Sequence, residues 1–452
     1  MALRDRRRGR QREAAAKQEA HASTPTPTTS STPSKRPNDA AIGAVSLLWS
    51  IGACAALSAP IAWMFGLSFA AAAACVAVYG FGGLFMLAHL LAELASVHGQ
   101  ETYTLLSGGG KLQLSEAAHD SLYAQNSSRR KRTALVPDRE FYAEYHGHKV
   151  QDLQWIHSEL RRECGRFIFL CGDSSLDNKH WFFSKEPGGP IPAREFSDDS
   201  LTAPAINGYE SVLGGGGRAS HDEEPRMAMD VNYWFNRVAA EELGPLECCT
   251  IMSSVEASTA ADRHHFGLLA QDQFIRDAVS EDDAVVMSVG GNDVALAPTW
   301  ATAVNMALLN LSPQWLVLLG AAPGHRHFVK WFHTVIYSYV RQLVAKTRPR
   351  KVIVNMIYYP DEAVDEEAWP GKTLQLLGYD ASPGRLQLIL RRLYAALAAK
   401  APPRDLAGLD VEVFPLFEVL DGTDSGDYEQ RVEPSVRGGE KIARALLARI
   451  HE

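Results

Sequence analysis

Short apolar runs alternate with amphipathic stretches through the last two thirds of the chain. Runs rich in β-branched and aromatic residues predict five buried strands, at residues 167–171, 248–253, 283–289, 351–357 and 410–414. Helical spacing of apolar residues predicts helices near 153–160, 230–243, 260–279, 300–311, 325–346, 383–400 and 437–450. The alternation predicts an α/β domain, in which helices cover both faces of one parallel sheet.

A polar insertion rich in proline and glycine follows the first predicted strand and its turn, from about residue 179 to the helix predicted at 230–243. Loops of this length usually serve as lids or are disordered. We therefore expect this insertion to be a lid or a disordered segment.

The N-terminal third has a different pattern. Residues 1–39 are first arginine-rich and then Thr/Pro-rich, which predicts a disordered tail. No Asp, Glu, Lys or Arg occurs in residues 40–92, and Pro60 divides this stretch. Because one membrane span needs ~20 residues, the stretch predicts two transmembrane helices. The alternative is a pair of buried helices in a soluble domain.

The predicted domains are a tail at 1–39, two transmembrane helices within 40–94, a linker at 95–151 and an α/β domain at 152–452. Basic clusters lie on both sides of the membrane segment. By the positive-inside tendency, both of its ends face the cytosol. This predicts a membrane protein with two passes and a catalytic domain on the cytosolic face. In the alternative, the domain is luminal, Asn126 is glycosylated and the chain is cleaved at 129–132.

Composition excludes some partners. The formal net charge is -8, which argues against nucleic acid as a partner. The six cysteines show no CxxC spacing, which favours reduced, structural thiols. His146 and His148 lack a third ligand residue, and we predict neither a metal nor another cofactor.

Three polar clusters follow predicted strands: Gly172-Asp173-Ser174, Gly290-Gly291-Asn292-Asp293 and Gln430-Arg431-Val432-Glu433-Pro434-Ser435. Ligands bind at the carboxyl ends of strands in open α/β sheets. In this order, the clusters resemble the Gly-Asp-Ser, Gly-x-Asn-Asp and Asp-x-x-His-Pro blocks of the GDSL or SGNH hydrolase superfamily. The resemblance covers about residues 165–450. It implies a flavodoxin-like three-layer α/β/α sandwich with a five-stranded parallel sheet.

The resemblance also implies roles for individual residues. Ser174 is the expected nucleophile, and its backbone N–H and the Asn292 amide are expected to stabilise the oxyanion. Gly291 belongs to the glycines that allow the backbone to approach closely. Asp173 and Asp293 are expected to brace their loops.

The chain departs from the superfamily pattern in two places. The second block reads Val255-Glu256-Ala257-Ser258-Thr259 and has no glycine, although a backbone N–H of Ala257 or Ser258 would still serve as an oxyanion donor. In the third block, Glu433 replaces the base histidine and Gln430 replaces its orienting aspartate. We expect Gln430 to donate a hydrogen bond to Glu433.

Two opposing effects act on the expected base. A carboxylate is a weaker base than an imidazole, with a reference pKa of about 4.3 against about 6.5. If Pro434 begins the last helix, the helix dipole lowers the pKa of Glu433 further, whereas burial raises it. The sequence leaves the balance open. A group of eukaryotic proteins without an assigned reaction shares the Arg-Val-Glu-Pro-Ser pattern, which supports Glu433 as a lineage feature.

Five other histidines are candidates for the missing base: His180, His264, His265, His325 and His327. None lies in a block that places it near Ser174. We expect each of them to be a surface or loop residue.

Three functional hypotheses follow. The first is a membrane-anchored serine hydrolase that acts on a lipid ester or an acylated sugar, with the bilayer contacted through residues 40–94. The second is a binding module for an acyl or glycan ligand that catalyses no turnover. The third is a metal-assisted phosphoesterase that uses Asp173, Asp177, Asn292, Asp293 and Glu433.

Overall fold

The computed structural model describes residues 135–184, 188, 191, 195–216, 223–296 and 298–451. The tail, the transmembrane helices and most of the linker predicted from the sequence lie outside these residues. No helix in the described ranges is long and apolar enough to cross a membrane.

The strands of the described residues are β1 (Val136–Pro137), β2 (Arg166–Gly172), β3 (Thr202–Pro204), β4 (Leu213–Gly214), β5 (Arg226–Ala228), β6 (Cys248–Met252), β7 (Ala284–Ser288), β8 (Lys351–Met356), β9 (Val411–Pro415), β10 (Tyr428–Glu429) and β11 (Glu433–Pro434). The α-helices are α1 (Asp138–Phe141), α2 (Val150–Leu160), α3 (Lys179–Phe183), α4 (Tyr209–Val212), α5 (Val231–Glu242), α6 (Ala260–Phe266), α7 (Ala270–Ala278), α8 (Gly291–Ala295), α9 (Trp300–Leu311), α10 (Gln314–Leu318), α11 (His325–Leu343), α12 (Gly371–Leu376), α13 (Pro383–Ala398) and α14 (Val436–His451).

Five strands form one sheet, and all pair in parallel, in the order β6-β2-β7-β8-β9. Numbered along the chain within this sheet, the order is 2-1-3-4-5, which is the flavodoxin-like order. The predicted fold class and all five predicted strands are thereby confirmed. In this order the direction of winding reverses between β2 and β7, and ligands bind at such a switch point.

Alternate residues of β2 serve opposite faces of the sheet, as a strand buried on both sides requires. Phe167 and Phe169 belong to the larger apolar cluster, which also contains side chains of α2, α7, α11 and α13. Ile168 and Leu170 belong to the second cluster, with side chains of α5 and α14. Helices therefore cover both faces, and the three-layer sandwich is confirmed.

The single helix predicted at 260–279 is wrong. Two helices, α6 and α7, occupy this range, and Gly267 ends the first with a φ of +93°. A second helix start follows directly, because the Asp272 carboxylate accepts the backbone N–H of Leu269 at 3.1 Å. Since left-handed backbone is nearly cost-free only for glycine, Gly267 explains the break.

The described parts of the insertion are folded, so the expectation of disorder is wrong for them, whereas a role as a lid stays a prediction. Its segment contains α3 and contributes β3, which pairs with β5. Trp181, Phe183 and Phe196 are buried. The described end of the predicted linker is folded as well, because β1 pairs with β4 and Phe141 is buried in the core.

Candidate active site

The turn after β2 holds Ser174 against the neighbouring strand. Gly172 has a φ of +127°, and a Cβ there would lie 1.7 Å from the Ser288 carbonyl oxygen of β7. The Asp173 backbone N–H donates to that same carbonyl at 2.9 Å. The Asp173 carboxylate accepts the hydroxyl of Ser175 at 2.6 Å and its backbone N–H at 3.1 Å. Asp173 therefore braces the turn, as predicted, while Ser174 lies between its two fixed neighbours.

Glu433 lies beside the candidate nucleophile. The Ser174 hydroxyl donates to Glu433 Oε1 at 3.4 Å, and the indole N–H of Trp369 donates to the same oxygen at 3.2 Å. Glu433 is buried, and its Oε2 has no hydrogen-bond partner within the described residues. The site therefore pairs a buried hydroxyl with a buried carboxyl that has one unused oxygen.

The hydrogen bond predicted from Gln430 to Glu433 is wrong, because the side chain of Gln430 contacts Trp369. The side-chain oxygen of Gln430 accepts the backbone N–H of Trp369 at 3.2 Å, and Trp369 supplies the donor to Glu433. Gln430 and Arg431 both have left-handed backbone, with φ of 48° and 67°. This unusual turn leads the chain from β10 into β11 and was not foreseen. Gln430 therefore acts on Glu433 through Trp369.

Burial dominates the electrostatics of Glu433. Pro434 lies in β11, opposite Tyr428, and not in the last helix. The last helix instead begins at Val436. The Ser435 hydroxyl, just before it, accepts the backbone N–H of Gly438 in the first turn of α14 at 3.1 Å. Burial, followed by the nearby Asp173 carboxylate, raises the pKa of Glu433 to about 8, against the opposing hydrogen bonds from Ser174 and Trp369.

The loop without glycine still adopts the conformation that glycine prefers. Ala257 has a φ of +60°. In the described part of the chain, the backbone N–H groups of Ala257 and Ser174 donate to no protein acceptor. The Asn292 amide donates to the Ser258 carbonyl at 3.1 Å, which ties it to this loop. An NH₂ group has two hydrogens, so Asn292 keeps a second one for another acceptor.

The second block is also tied to Asp293. Its carboxylate accepts the backbone N–H groups of Ala260 and Ala261, both at 2.8 Å. Burial raises the pKa of Asp293 to about 7. Asp293 is thus a loop brace, as predicted. The glycine that the loop requires is Gly290, where a Cβ would lie 2.7 Å from the Phe332 ring, whereas a Cβ at Gly291 meets no atom closer than 3.8 Å.

A second buried carboxyl, Glu256, was missed by the sequence analysis. The indole N–H of Trp181 donates to Glu256 Oε2 at 3.2 Å. The rings of Trp181 and Trp369 stack with centroids 6.1 Å apart. Burial, and next the charge of Glu433, raise the pKa of Glu256 well above its ordinary value. The two carboxyls, Glu256 and Glu433, and the two stacked indoles therefore form one connected group. In the sequence, the group is indicated only by the position of Glu256 next to Ala257, within the second block.

A buried arginine, Arg263, binds the backbone at the start of the turn that carries Ser174. Arg263 donates to the Gly172 carbonyl and to the Ser258 hydroxyl, both at 3.0 Å, and pairs with the Asp272 carboxylate at 2.8 Å. It therefore connects the end of β2 to the second block. The sequence analysis placed Arg263 on a helix but assigned it no role.

Three of the four carboxylates of the phosphoesterase hypothesis, those of Asp173, Asp177 and Asp293, already have protein partners. Asp177 forms a fully buried ion pair with Lys179 at 2.5 Å, and Asp293 accepts two backbone N–H groups. Nowhere in the described ranges do three His, Cys, Asp or Glu side chains form a group that could hold a metal ion. This donor set does not favour a metal site.

The five alternative histidines differ in exposure, and His327 is half-buried. His264 and His265 are exposed, as predicted. His180 and His325 are buried, against prediction, and His180 lies edge-on to the ring of Tyr145, with centroids 4.6 Å apart. The hydrogen-bond partners of Glu433 Oε1 are Ser174 and Trp369, so the acceptor beside Ser174 is a carboxyl and not an imidazole.

An apolar cavity of about 170 Å³ opens from the candidate site. Ser174, Asn292 and Glu433 line it. Its remaining wall is mainly aliphatic and aromatic, and comes from α9, α11, α12 and α13; examples are Met306, Leu309, Phe328, Leu374, Leu390 and Leu393. The polar groups therefore lie beside a space suited to hydrocarbon.

Solved structures similar to this one include esterases and lipases. An acetylxylan esterase, Axe2, from Geobacillus stearothermophilus is 13% identical, with a TM-score of 0.30, over 64% of this chain and 94% of its own. An extracellular lipase from Streptomyces rimosus is 11% identical, with a TM-score of 0.32, over 63% and 98%. A protein described as a GDSL-like lipase from Parabacteroides merdae is 9% identical, with a TM-score of 0.30, over 63% and 94%. No protein-family model and no curated protein sequence matches the chain.

Proposed function

We propose that this chain is a serine hydrolase of the SGNH type that acts on an ester with an apolar acyl group. The observation that carries the proposal is the hydrogen bond from Ser174 to Glu433, at 3.4 Å, at the mouth of the apolar cavity. A dyad distance slightly beyond 3.2 Å is usual before substrate binds.

In the proposed reaction, the Ser174 oxygen attacks the ester carbonyl while its proton passes to Glu433. The backbone N–H groups of Ser174 and Ala257 and the Asn292 amide hold the oxyanion. The bond to the alcohol then breaks, and Glu433 returns the proton to the leaving oxygen. Water attacks the acyl-serine by the same route, so that ester and water become acid and alcohol.

The pKa of Glu433 makes a carboxyl suitable as the base. An ordinary carboxylate has a pKa of about 4.3 and is too weak to take a hydroxyl proton efficiently. Burial raises the pKa of Glu433 to about 8, which brings its basicity to that of an imidazole or slightly above.

The cavity favours a medium-length acyl group over an acetyl group. A cavity of ~150 Å³ lined by Leu, Ile and Phe accepts benzene, which has six carbons. The cavity here, of about 170 Å³, is of the same size and is lined in the same way. We therefore propose that the preferred acyl group carries a hydrocarbon chain, as in a lipid ester. The segment at 40–94, which is uncharged up to residue 92, is proposed to anchor the chain in a bilayer, with the catalytic domain on the cytosolic face.

The test is labelling by an alkyl fluorophosphonate, together with hydrolysis of aryl esters of increasing acyl length. We expect labelling of the full chain and of Ser175→Ala, no labelling of Ser174→Ala, and turnover that is highest for medium-length acyl groups. Folded protein in which Ser174 is not labelled at any pH would contradict the proposal.

One observation favours a second candidate, an acyl-binding module without turnover. With a pKa of about 8, Glu433 is mostly neutral at pH 7 and accepts protons poorly there. In that case, a fatty acid would bind to the wild type and to Ser174→Ala with equal affinity, and no ester would be hydrolysed at alkaline pH.

A further inference from the structure

An apolar surface covers the outside of the helix pair next to the cavity. Six of the eight large apolar side chains that are exposed in the described part of the chain lie between residues 300 and 319. They are Trp300, Leu308, Leu311, Trp315, Leu318 and Leu319, and their exposed fractions run from 43% to 69%. We refer to these six side chains as the α9–α10 surface.

Helix α9 has two apolar faces. At about 100° per residue, Trp300, Leu308 and Leu311 lie within about 80° of one another around the helix axis. Met306 and Leu309, which line the cavity, lie about 180–240° from Trp300. The same helix therefore has one wall facing the cavity and one facing the outside. Exposure of a second apolar face to water is unfavourable, so we expect an apolar partner to cover this face.

We propose that the α9–α10 surface docks on a lipid bilayer and inserts into its interface. The docking does not depend on the hydrolase reaction, but the delivery of substrate described below rests on the proposed function.

Four observations favour a bilayer over a protein partner. Residues 294–325 contain no Asp, Glu, Lys or Arg, and two of the exposed side chains are tryptophans, which prefer the membrane interface. Exposed Arg326 and Lys330 follow directly, where they would meet anionic headgroups. The cavity that contains Ser174 lies behind the same helix, so that an acyl chain would pass from the bilayer to the site with little exposure to water.

The geometry is that of an interfacial pair and not of a span. Helix α9 has 12 residues and α10 has 5, so that α9 is about 18 Å long, against ~30 Å for a bilayer core. A partly inserted, uncharged helix pair of this length lies in the plane of the interface.

The first test measures lipid contact directly. The full chain is reconstituted into vesicles of phosphatidylcholine and phosphatidylserine whose acyl chains are brominated near the headgroup. Bromine quenches tryptophans that touch lipid. Trp300→Phe with Trp315→Phe removes the two tryptophans of the surface and leaves seven others. Two of these, Trp49 and Trp63, lie in the proposed anchor and are expected to be quenched alike in the wild type and the variant, so the difference between the two proteins reports on the surface. We expect the quenched fraction of the fluorescence to fall in the double variant. An unchanged quenched fraction would overturn the proposal.

The second test separates docking from chemistry. Leu318→Glu with Leu319→Glu places two charges on the surface, and we expect at least a ~10-fold loss of turnover for an ester embedded in vesicles, with turnover of a soluble short-chain ester unchanged. Phe266→Glu is the control for a charge placed on an exposed apolar residue elsewhere, because Phe266 is 43% exposed and lies at the end of α6. In the same helix, the carbonyl of Arg263 accepts a hydrogen bond from the side chain of Gln342, which lies at the far end of α11. The proposal would be contradicted if both variants lost turnover of the embedded ester to the same extent, or if neither lost it. If no ester is hydrolysed at all, the proposed function fails, and the quenching result still decides the docking.

Discussion

Ser174 and Glu433 are 259 positions apart in the sequence, and their side chains share a hydrogen bond at the switch point of the sheet. The pair brings together the turn after β2 and the short strand β11. Its carboxyl is buried and, among the residues that the structure describes, receives one other hydrogen bond, from Trp369. An acid in this setting holds its proton up to alkaline pH, and this property determines the pH range in which the pair can work.

The first prediction concerns the pH dependence of turnover. A base must be deprotonated before it accepts the Ser174 proton, and the pKa of Glu433 is about 8. We therefore expect kcat/KM for a soluble ester to rise about tenfold per pH unit below pH 8 and to level off above it. Stopped assays across this range, with a check of folding by circular dichroism at each pH, measure the profile.

The Glu433→Gln variant is the control for this profile. It keeps the shape of the side chain but cannot take a proton, so we expect kcat/KM to fall by about 10²–10⁴ and its rise with pH to disappear. A variant that keeps the same rise with pH would show that another group accepts the proton.

The second prediction concerns Trp369. Its N–H stabilises the charged form of Glu433, so Trp369→Phe should raise the pKa of Glu433 and move the activity profile to higher pH. Turnover at pH 7 should fall, whereas the plateau at high pH should change less. Trp181→Phe is the matched control, since it removes the equivalent donor from Glu256. A profile that moves equally in both variants would contradict the specific role of Trp369.

The third prediction concerns the order in which the two carboxyls ionise. Burial, and next the charge of Glu433, raise the pKa of Glu256 well above its ordinary value. We predict that Glu433 loses its proton first, while Glu256 is still neutral. Glu256→Gln imitates this neutral acid, so the midpoint of the activity profile should stay near pH 8.

If Glu256 were charged while Glu433 titrates, its replacement by glutamine would remove a neighbouring negative charge and lower the midpoint. A shift of the midpoint toward acid by a full pH unit in Glu256→Gln would therefore reverse the assigned order. The stability of the variant, measured by urea denaturation, serves as its folding control.

The fold was predictable because four of the five strands of the parallel sheet are buried along almost their whole length and therefore appear as apolar runs. The fifth, β9 at the edge, is half-buried, and its sequence alternates valine with a polar residue. Ser174 and Asn292 were predictable for a related reason, because they directly follow two of these runs and match known motifs. The turn at Gly267 was missed, since the apolar spacing continues across it and only the φ of this residue reveals the break.

The environment of Glu433 was not predictable from local patterns. Trp369 lies in a segment without periodic apolar spacing, and its contact with Glu433 depends on a long-range approach of two loops. Gln430 was assigned the wrong partner because two successive left-handed residues redirect the chain there. Whether burial or the helix dipole dominates the pKa of Glu433 depends on the same long-range packing, which the sequence does not encode in any short motif.

The fourth prediction concerns Ala257, which has left-handed backbone in the loop that the Asn292 amide contacts and whose N–H is proposed as an oxyanion donor. This conformation costs an alanine ~1 kcal/mol or more, and glycine adopts it freely. Ala257→Gly should therefore leave the free energy of unfolding within ~1 kcal/mol of the wild type, because relief of strain and the added entropy of the unfolded chain nearly cancel. Its kcat should be unchanged, since the donor is a backbone N–H.

Ala257→Val is the informative partner of this substitution. A β-branched residue is a clear outlier at positive φ, so the loop is expected to change conformation and to withdraw its N–H from the oxyanion. We expect a loss of ~1–3 kcal/mol in the free energy of unfolding. We expect kcat to fall by about 10²–10³, the usual effect of one lost oxyanion donor. Urea denaturation and steady-state kinetics at alkaline pH measure the two effects separately. Full activity in Ala257→Val would show that the left-handed conformation of Ala257 contributes nothing to catalysis.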